Sequence, residues 1–119
     1  VFADPSEEER GRIRAFLESR FGEEITVVYP GDDFVDVHKK GIDKASALSF
    51  LAERRGIRPE EIMAFGNTEN DVPILRYAGV SYAVSNADGV AKEAAGHICA
   101  SNEEDGVAKV IEDLVASDW

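Results

Sequence analysis

The sequence predicts an α/β fold in which a parallel sheet is flanked by helices, on three features. From Gly41 onward, short apolar runs of strand character alternate with helical stretches of about ten residues, the pattern of parallel strands joined by helices on the sheet faces. Gly56, Gly79 and Gly96 each follow a helical stretch where a terminating glycine belongs. The apolar run at 62–65 stops at Gly66 and hands over to a polar turn, after which Asp71-Val72-Pro73 opens another helix.

Taken in order, Val1-Phe2-Ala3 is strand-like from the first residue and carries no initiating Met, so a longer parent protein is expected. Asp4-Pro5 and the acids Glu7, Glu8 and Glu9 announce a helix that continues through Ile13, Phe16 and Leu17 and closes near Gly22. A strand is expected at 25–29, a turn at Pro30-Gly31-Asp32-Asp33 and a second strand at 34–38. This β-α-β-β unit holds too little apolar surface for a domain of its own. The composition changes at Lys39-Lys40-Gly41, which divides the chain into residues 1–40 and 41–119.

Beyond that boundary, Asp43 is the expected N-cap of a helix that runs from Lys44 to the stop at Gly56. Pro59 initiates a short turn into the 62–65 strand. Further strands are expected at 80–84 and 97–100, with a helix between them from a capping Asn86 to Gly96. The final helix is expected at 103–115, with Val107, Val110, Ile111 and Leu114 on one face.

A formal net charge of −11 argues against nucleic acid or an anionic membrane surface as the main partner, because both require positive charge. Any phosphate-bearing ligand therefore needs a local cation. No apolar run is long enough for a bilayer span or the core of a signal peptide. Cys99 is the single cysteine, which rules out an internal disulfide, points to a cytoplasmic location and reads as packing.

The chemistry concentrates after the 62–65 strand. Asn67, Glu69, Asn70 and Asp71 place several side-chain oxygens at the carboxyl end of a strand, where open α/β sheets bind ligands. Such oxygens suit a hard cation, Mg²⁺ among them. The plainer alternative is that Thr68 or Asn70 caps the following helix while the acids favour its positive end. Lys44 is the second informative position. A cation in a helix's first turn opposes the macrodipole unless something compensates it, yet a helix N-terminus with an added lysine is also an anion site.

Gly41-Ile42-Asp43-Lys44-Ala45-Ser46, Gly66-Asn67-Thr68-Glu69-Asn70-Asp71, Tyr77-Ala78-Gly79-Val80, Ala83-Val84-Ser85-Asn86-Ala87 and Asn102-Glu103-Glu104-Asp105-Gly106-Val107 occur in order and at compatible spacing. Together they resemble the second half of the Cof-type haloacid dehalogenase-like phosphatases. Residues 1–40 resemble the closing part of that family's α/β cap. The resemblance implies a partial Rossmann-like core preceded by a β-α-β-β cap remnant, and Mg²⁺-dependent hydrolysis of a small phosphorylated metabolite, a sugar phosphate for example, through an aspartyl-phosphate. Carried over by position, Lys44 would neutralise the phosphoryl oxygens and Asn70 would hydrogen-bond them. Asn67 would stand where the family places a metal-binding Asp, and Asp71 would support the metal from close by or through water.

Two departures matter. The family's nucleophile lies in an Asp-x-Asp-Gly-Thr-like segment, and no such segment occurs in these residues; Asp32-Asp33 is adjacent rather than spaced and belongs to the cap-like part. Asn67 in place of Asp removes a formal charge from the metal site. The leading expectation is therefore part of a phosphohydrolase that is inactive by itself. The alternative is a non-catalytic phosphoryl-ligand or protein-interaction module on the same fold. A receiver-like signalling domain fits less well, since its lysine should follow the acidic loop rather than precede it. With the family's central strand missing beside 62–65, the chain is expected to self-associate through an unpaired strand edge or to cover that edge with residues 1–38.

Overall fold

The computed structural model describes the backbone of residues 2–3, 7–31 and 34–117, and the side chains of residues 7–28 and 36–117. Two three-stranded sheets organise the chain. The first is antiparallel and joins β1 (Phe2–Ala3), β2 (Ile25–Gly31) and β3 (Phe34–Lys39) in the order β1-β3-β2. Thr26 faces His38 and Val28 faces Asp36 across the β2–β3 ladder, before the register shifts between Val28 and Gly31. Directly opposed residues share a sheet face, so these four side chains form one patch. Helix α1 (Glu7–Phe21) contacts β2 but contributes no fully buried residue, and Phe16 stays 60% exposed. The weak apolar stripe read from the sequence thus gives a loosely packed unit.

The second sheet is parallel, in the order β4 (Met63–Gly66), β5 (Val80–Val84), β6 (His97–Cys99). Helix α2 (Lys44–Arg55) precedes it, α3 (Val72–Tyr77) and α4 (Gly89–Ala94) make the two crossovers, and α5 (Gly106–Ala116) closes the chain. Small residues bring the crossover helices close to the sheet: Ala64, Ala78, Ala83 and Ala91 are buried, and Leu75 is the largest fully buried side chain. On one sheet face the rings of Phe65, Tyr82 and His97 stack across the three strands, with centroids 5.5 and 5.0 Å apart. Val110 and Leu114 of α5 line a gap beside that same face together with Met63 and Tyr82. The parallel sheet with flanking helices is the architecture the alternating pattern predicts.

Helix α2 starts as its sequence requires. The Asp43 carboxylate accepts the Ser46 N–H at 2.8 Å, and Ser46 Oγ accepts the Asp43 N–H at 2.9 Å, a reciprocal cap. Gly56 ends the helix in the left-handed region at φ 68°.

Several expectations shift. Strand β2 continues through Pro30 and Gly31, where a turn was expected; Asp32 and Asp33 lie outside the described residues. Asn86 does not cap α4. Its Nδ2 donates to Asn102 Oδ1 at 2.7 Å, so the side chain is committed elsewhere and the helix begins only at Gly89. The last helix starts at Gly106 rather than 103, because Asp105 at φ 58° separates it from the 3-10 turn Asn102–Glu104. Ile111 is 46% exposed, so Val110 and Leu114 face the sheet without it. Residues 2–3 and 25–39 form their own sheet, and among the described strands only β5 pairs with β4, so the first sheet does not cover the β4 edge. The Cα radius of gyration of 16.1 Å exceeds the roughly 13.5 Å of a compact domain of this length. Phe50 and Leu51 of α2 and Val115 of α5 remain half exposed or more.

Candidate functional site

At the carboxyl end of β4 the chain passes through Asn67 and Thr68 into a 3-10 turn, Glu69–Asp71, and then into α3. Asp71 closes this turn. Its Oδ2 accepts the backbone N–H groups of Asn67 at 2.9 Å and Thr68 at 3.3 Å. Its Oδ1 accepts Lys44 Nζ at 2.5 Å. The fold-back works only because residue 66 is glycine: a Cβ there would lie 2.6 Å from Asp71 Cβ.

The two partners differ in environment. The Asp71 side chain is 7% exposed and that of Lys44 51%, so the ammonium reaches down from a half-solvated helix start to a covered carboxylate. Asp71 is also the compensation Lys44 needs at the positive end of α2. Asn70 is half-buried, and its Oδ1 accepts Thr68 Oγ1 at 2.5 Å. Its Nδ2 has no partner among the described residues and keeps its donors. Asn67 is exposed, and its carbonyl accepts the Asp88 N–H at 2.8 Å, which ties this loop to the one before α4.

All four residues singled out in the sequence therefore converge where β4 ends and α2 begins. Lys44 and Asp71 touch; Asn67 and Asn70 lie on the same turn. Lys44 and Asn70 also line a cleft of about 300 Å³ whose other wall is the first sheet, through Thr26, Asp36 and His38. What sequence reasoning missed is the brace across this cleft. Arg14 of α1 grips both Glu69 oxygens, at 2.9 and 3.0 Å, and donates to the Val27 carbonyl at 3.3 Å. Fifty-five residues separate Arg14 and Glu69, and no local pattern announces such a pair.

For a metal, the donors present make an incomplete set. Among the described residues no three His, Cys, Asp or Glu side chains gather into a possible site. Both Asp71 oxygens are engaged by N–H donors, which suits a supporting position rather than direct ligation. The exposed Asn67 can offer a neutral amide oxygen. Asn67 and Asp71 alone fall well short of the octahedral oxygen set that Mg²⁺ requires. Cys99 is buried, as its apolar surroundings predict. No helix among the described residues is long and apolar enough to cross a membrane.

The sequence profile of the haloacid dehalogenase-like hydrolases matches residues 1–111. The chain is 36% identical to the 5-amino-6-(5-phospho-D-ribitylamino)uracil phosphatase YcsE of Bacillus subtilis, over 84% of this chain and 40% of that protein. It is 42% identical to a phosphoglycolate phosphatase of Halorubrum lacusprofundi, over 78% of this chain and 40% of the relative. The solved structure of the HAD subclass IIB sugar phosphatase BT4131 superposes with a TM-score of 0.77 at 30% identity, over 92% of this chain and 40% of that one. The chain thus spans about 40% of the length of these relatives. By its profile match, its relatives and its Rossmann-like parallel sheet, the chain belongs to the haloacid dehalogenase-like hydrolases, in the Cof-type branch of phosphatases.

Proposed function

We propose that this chain is the phosphate-binding, carboxyl-terminal portion of a Mg²⁺-dependent phosphohydrolase that acts on a small phosphate ester, such as a sugar phosphate, through an aspartyl-phosphate. Residues 1–40 would be the remnant of a cap and 41–119 the second half of the core. The observation that carries the reading is the Lys44–Asp71 contact at the strand end, 2.5 Å long and open to a cleft on the Lys44 side. An ammonium held at a helix N-terminus suits a phosphoryl dianion, and catalysis of phosphoryl transfer rests mostly on positioning and charge neutralisation. Lys44 would bind the phosphoryl oxygens, with Asn70 Nδ2 as a second donor. Asp71 would hold Lys44 and the turn in place. Asn67 would contribute its amide oxygen to Mg²⁺, which when bound supplies further neutralisation of phosphoryl charge. The nucleophilic aspartate would come from sequence outside these residues, so the chain alone would not turn over substrate.

A second reading is favoured by Asn67: a non-catalytic module that binds a phosphoryl ligand or a protein on the same fold. One experiment addresses the shared basis of both. Inorganic phosphate titrated into the chain should shift the backbone amides of Lys44 and of 67–71 in an NMR spectrum, and Lys44→Ala should abolish the response. Amides that stay unmoved by phosphate would overturn the assignment. Assays of the full-length parent with sugar phosphates then separate enzyme from binder. The single cysteine supports a cytoplasmic location, and the net charge of −11 a small-molecule partner rather than nucleic acid.

A further inference from the structure

The sequence carries two Asp-Gly steps, each at the start of a helix, and the fold treats them differently. Such a step is where a chain can rearrange without an enzyme, because glycine has no side chain to hinder attack of its backbone nitrogen on the aspartate carboxyl carbon. At Asp105-Gly106 that nitrogen is engaged. The Gly106 N–H donates to the Ser101 carbonyl at 2.9 Å, Gly106 is buried, and a Cβ on it would overlap the Ala100 carbonyl oxygen. At Asp88-Gly89 each of these restraints is missing. Both residues are exposed, the Gly89 N–H has no hydrogen-bond partner among the described residues, and the place of its absent Cβ is open to 4 Å. The Asp88 carboxylate does not cap α4, so it neither holds the first N–H groups of that helix nor is held by them. The main-chain groups around the step are in use instead: the Asp88 N–H holds the Asn67 carbonyl at 2.8 Å, and the Asp88 carbonyl accepts the Lys92 N–H at 3.1 Å.

We propose that Asp88 is a modification site, where isoaspartate forms spontaneously, and that Asp105, in the same dipeptide but a closed setting, is protected. The Gly89 nitrogen gives its proton to solvent and attacks Cγ of the protonated Asp88 carboxyl. The N–Cγ bond forms, one carboxyl oxygen leaves as water, and a cyclic imide results. Water then adds to a ring carbonyl. Opening at the main-chain carbonyl breaks its bond to the Gly89 nitrogen and leaves an α-carboxylate on a backbone that now runs through Cβ and Cγ. One water is released and one consumed, so no oxidant, reductant or cofactor takes part. The isomer carries an extra main-chain carbon between the Asp88 N–H and α4. The tie to the Asn67 carbonyl and the Lys92 helical bond then cannot both keep their geometry, and the link between these two loops loosens. The inference is independent of the phosphate reading of Lys44.

The test ages the 119-residue chain in heavy-oxygen water at neutral pH and physiological temperature, once folded and once in denaturant. Peptide mapping with electron-transfer fragmentation then reads heavy-oxygen uptake and isoaspartate at both sites. In the folded chain both should accumulate at Asp88 at least about tenfold faster than at Asp105, where reaction waits for local opening. In denaturant the two rates should approach parity, since the dipeptides are identical. Asp88→Glu, whose longer side chain must close a larger ring, should abolish the product at this position and leave Asp105 unchanged. Hydrogen exchange at the Asp88 and Lys92 amides should be faster in the isoaspartyl fraction. Equal rates in the folded chain, a faster Asp105, or no product at Asp88 overturns the proposal. A ratio that persists in denaturant overturns its structural basis, and unchanged exchange at both amides overturns the link to Asn67.

Discussion

Replacing Asp71 with alanine removes the one side chain that both closes the turn after β4 and holds Lys44. Two backbone N–H groups lose a charged acceptor, Asn67 at 2.9 Å and Thr68 at 3.3 Å. Hydrogen bonds to charged groups contribute roughly 1.5–3 kcal/mol each. Asn67 is exposed and regains water, and the Thr68 bond is long, so the low end applies and the pair contributes about 3 kcal/mol. The Lys44 contact adds little despite its 2.5 Å length, since the Lys44 side chain is 51% exposed and solvent screens it to about 0.5–1 kcal/mol. The expected cost of Asp71→Ala is therefore about 3–4 kcal/mol, a Tm drop on the order of 12–15 °C for a domain of this size. Lys44→Met should lower Tm by no more than about 4 °C on the same arithmetic. Thermal denaturation followed by circular dichroism gives both numbers, and hydrogen exchange at the Asn67 and Thr68 amides should accelerate only in the Asp71 variant. Equal Tm shifts for the two variants would show that the turn stands without its carboxylate and refute the reasoning.

The purified chain should not hydrolyse p-nitrophenyl phosphate, because no residue present matches the family's nucleophile; Mg²⁺-dependent turnover lost in Lys44→Ala is the opposing result. In the full-length protein Asn67→Asp should tighten Mg²⁺ binding by roughly tenfold, through the added ligand charge, and an unchanged Mg²⁺ titration would remove Asn67 from the metal's surroundings. The Arg58 backbone N–H bonds the Glu61 carboxylate at 2.8 Å and holds its pKa below the ordinary glutamate value, with the Arg58 charge assisting. A lowered folded pKa means that this contribution to stability is present above the unfolded value and lost as pH falls through the folded one; an NMR titration midpoint for Glu61 at or above about 4.3 would contradict it. Among the described strands β4 pairs only with β5, and its other edge should make the chain self-associate at high concentration. Concentration-independent sedimentation as a monomer would exclude that.

How far the sequence could be read follows the range of the interactions. The Asp43–Ser46 cap and the Gly56 stop lie within one turn of the residues they serve, and both were legible. Asn86 shows the limit: asparagine is a good cap by local rules, but Asn102, sixteen residues on, claims its amide. Ile111 completes an apolar stripe in the sequence with Val107, Val110 and Leu114, yet it is 46% exposed, because the stripe is wider than the surface that α5 covers among the described residues. The polar turn at a strand end and the cation at a helix start singled out the four site residues, and resemblance to a family supplied their roles; spacing alone would not have joined Lys44 to Asp71 across 27 residues. Neither route led to Arg14 or to the Asp36–His38 wall, because these come from the first sheet, whose position against the 3-10 turn is a purely tertiary outcome.

That outcome bears on how a chain with a net charge of −11 could hold an anion at all. Lys44 Nζ has three donors, one of which is directed at Asp71. The buried Asp71 carboxylate pairs with the lysine and fixes where its ammonium sits, which leaves two Nζ N–H groups without a partner among the described residues. On the proposed reading, a phosphate dianion would meet an ammonium already oriented and the Asn70 Nδ2 donor, and the conformational cost of placing Lys44 would have been met by folding. Strengthening the Lys44–Asp71 pair beyond this point would draw the ammonium away from the cleft. Removing Asp71 would free the lysine and loosen the turn that carries Asn67 and Asn70. On the proposed reading, a half-exposed lysine over a covered aspartate would satisfy both demands.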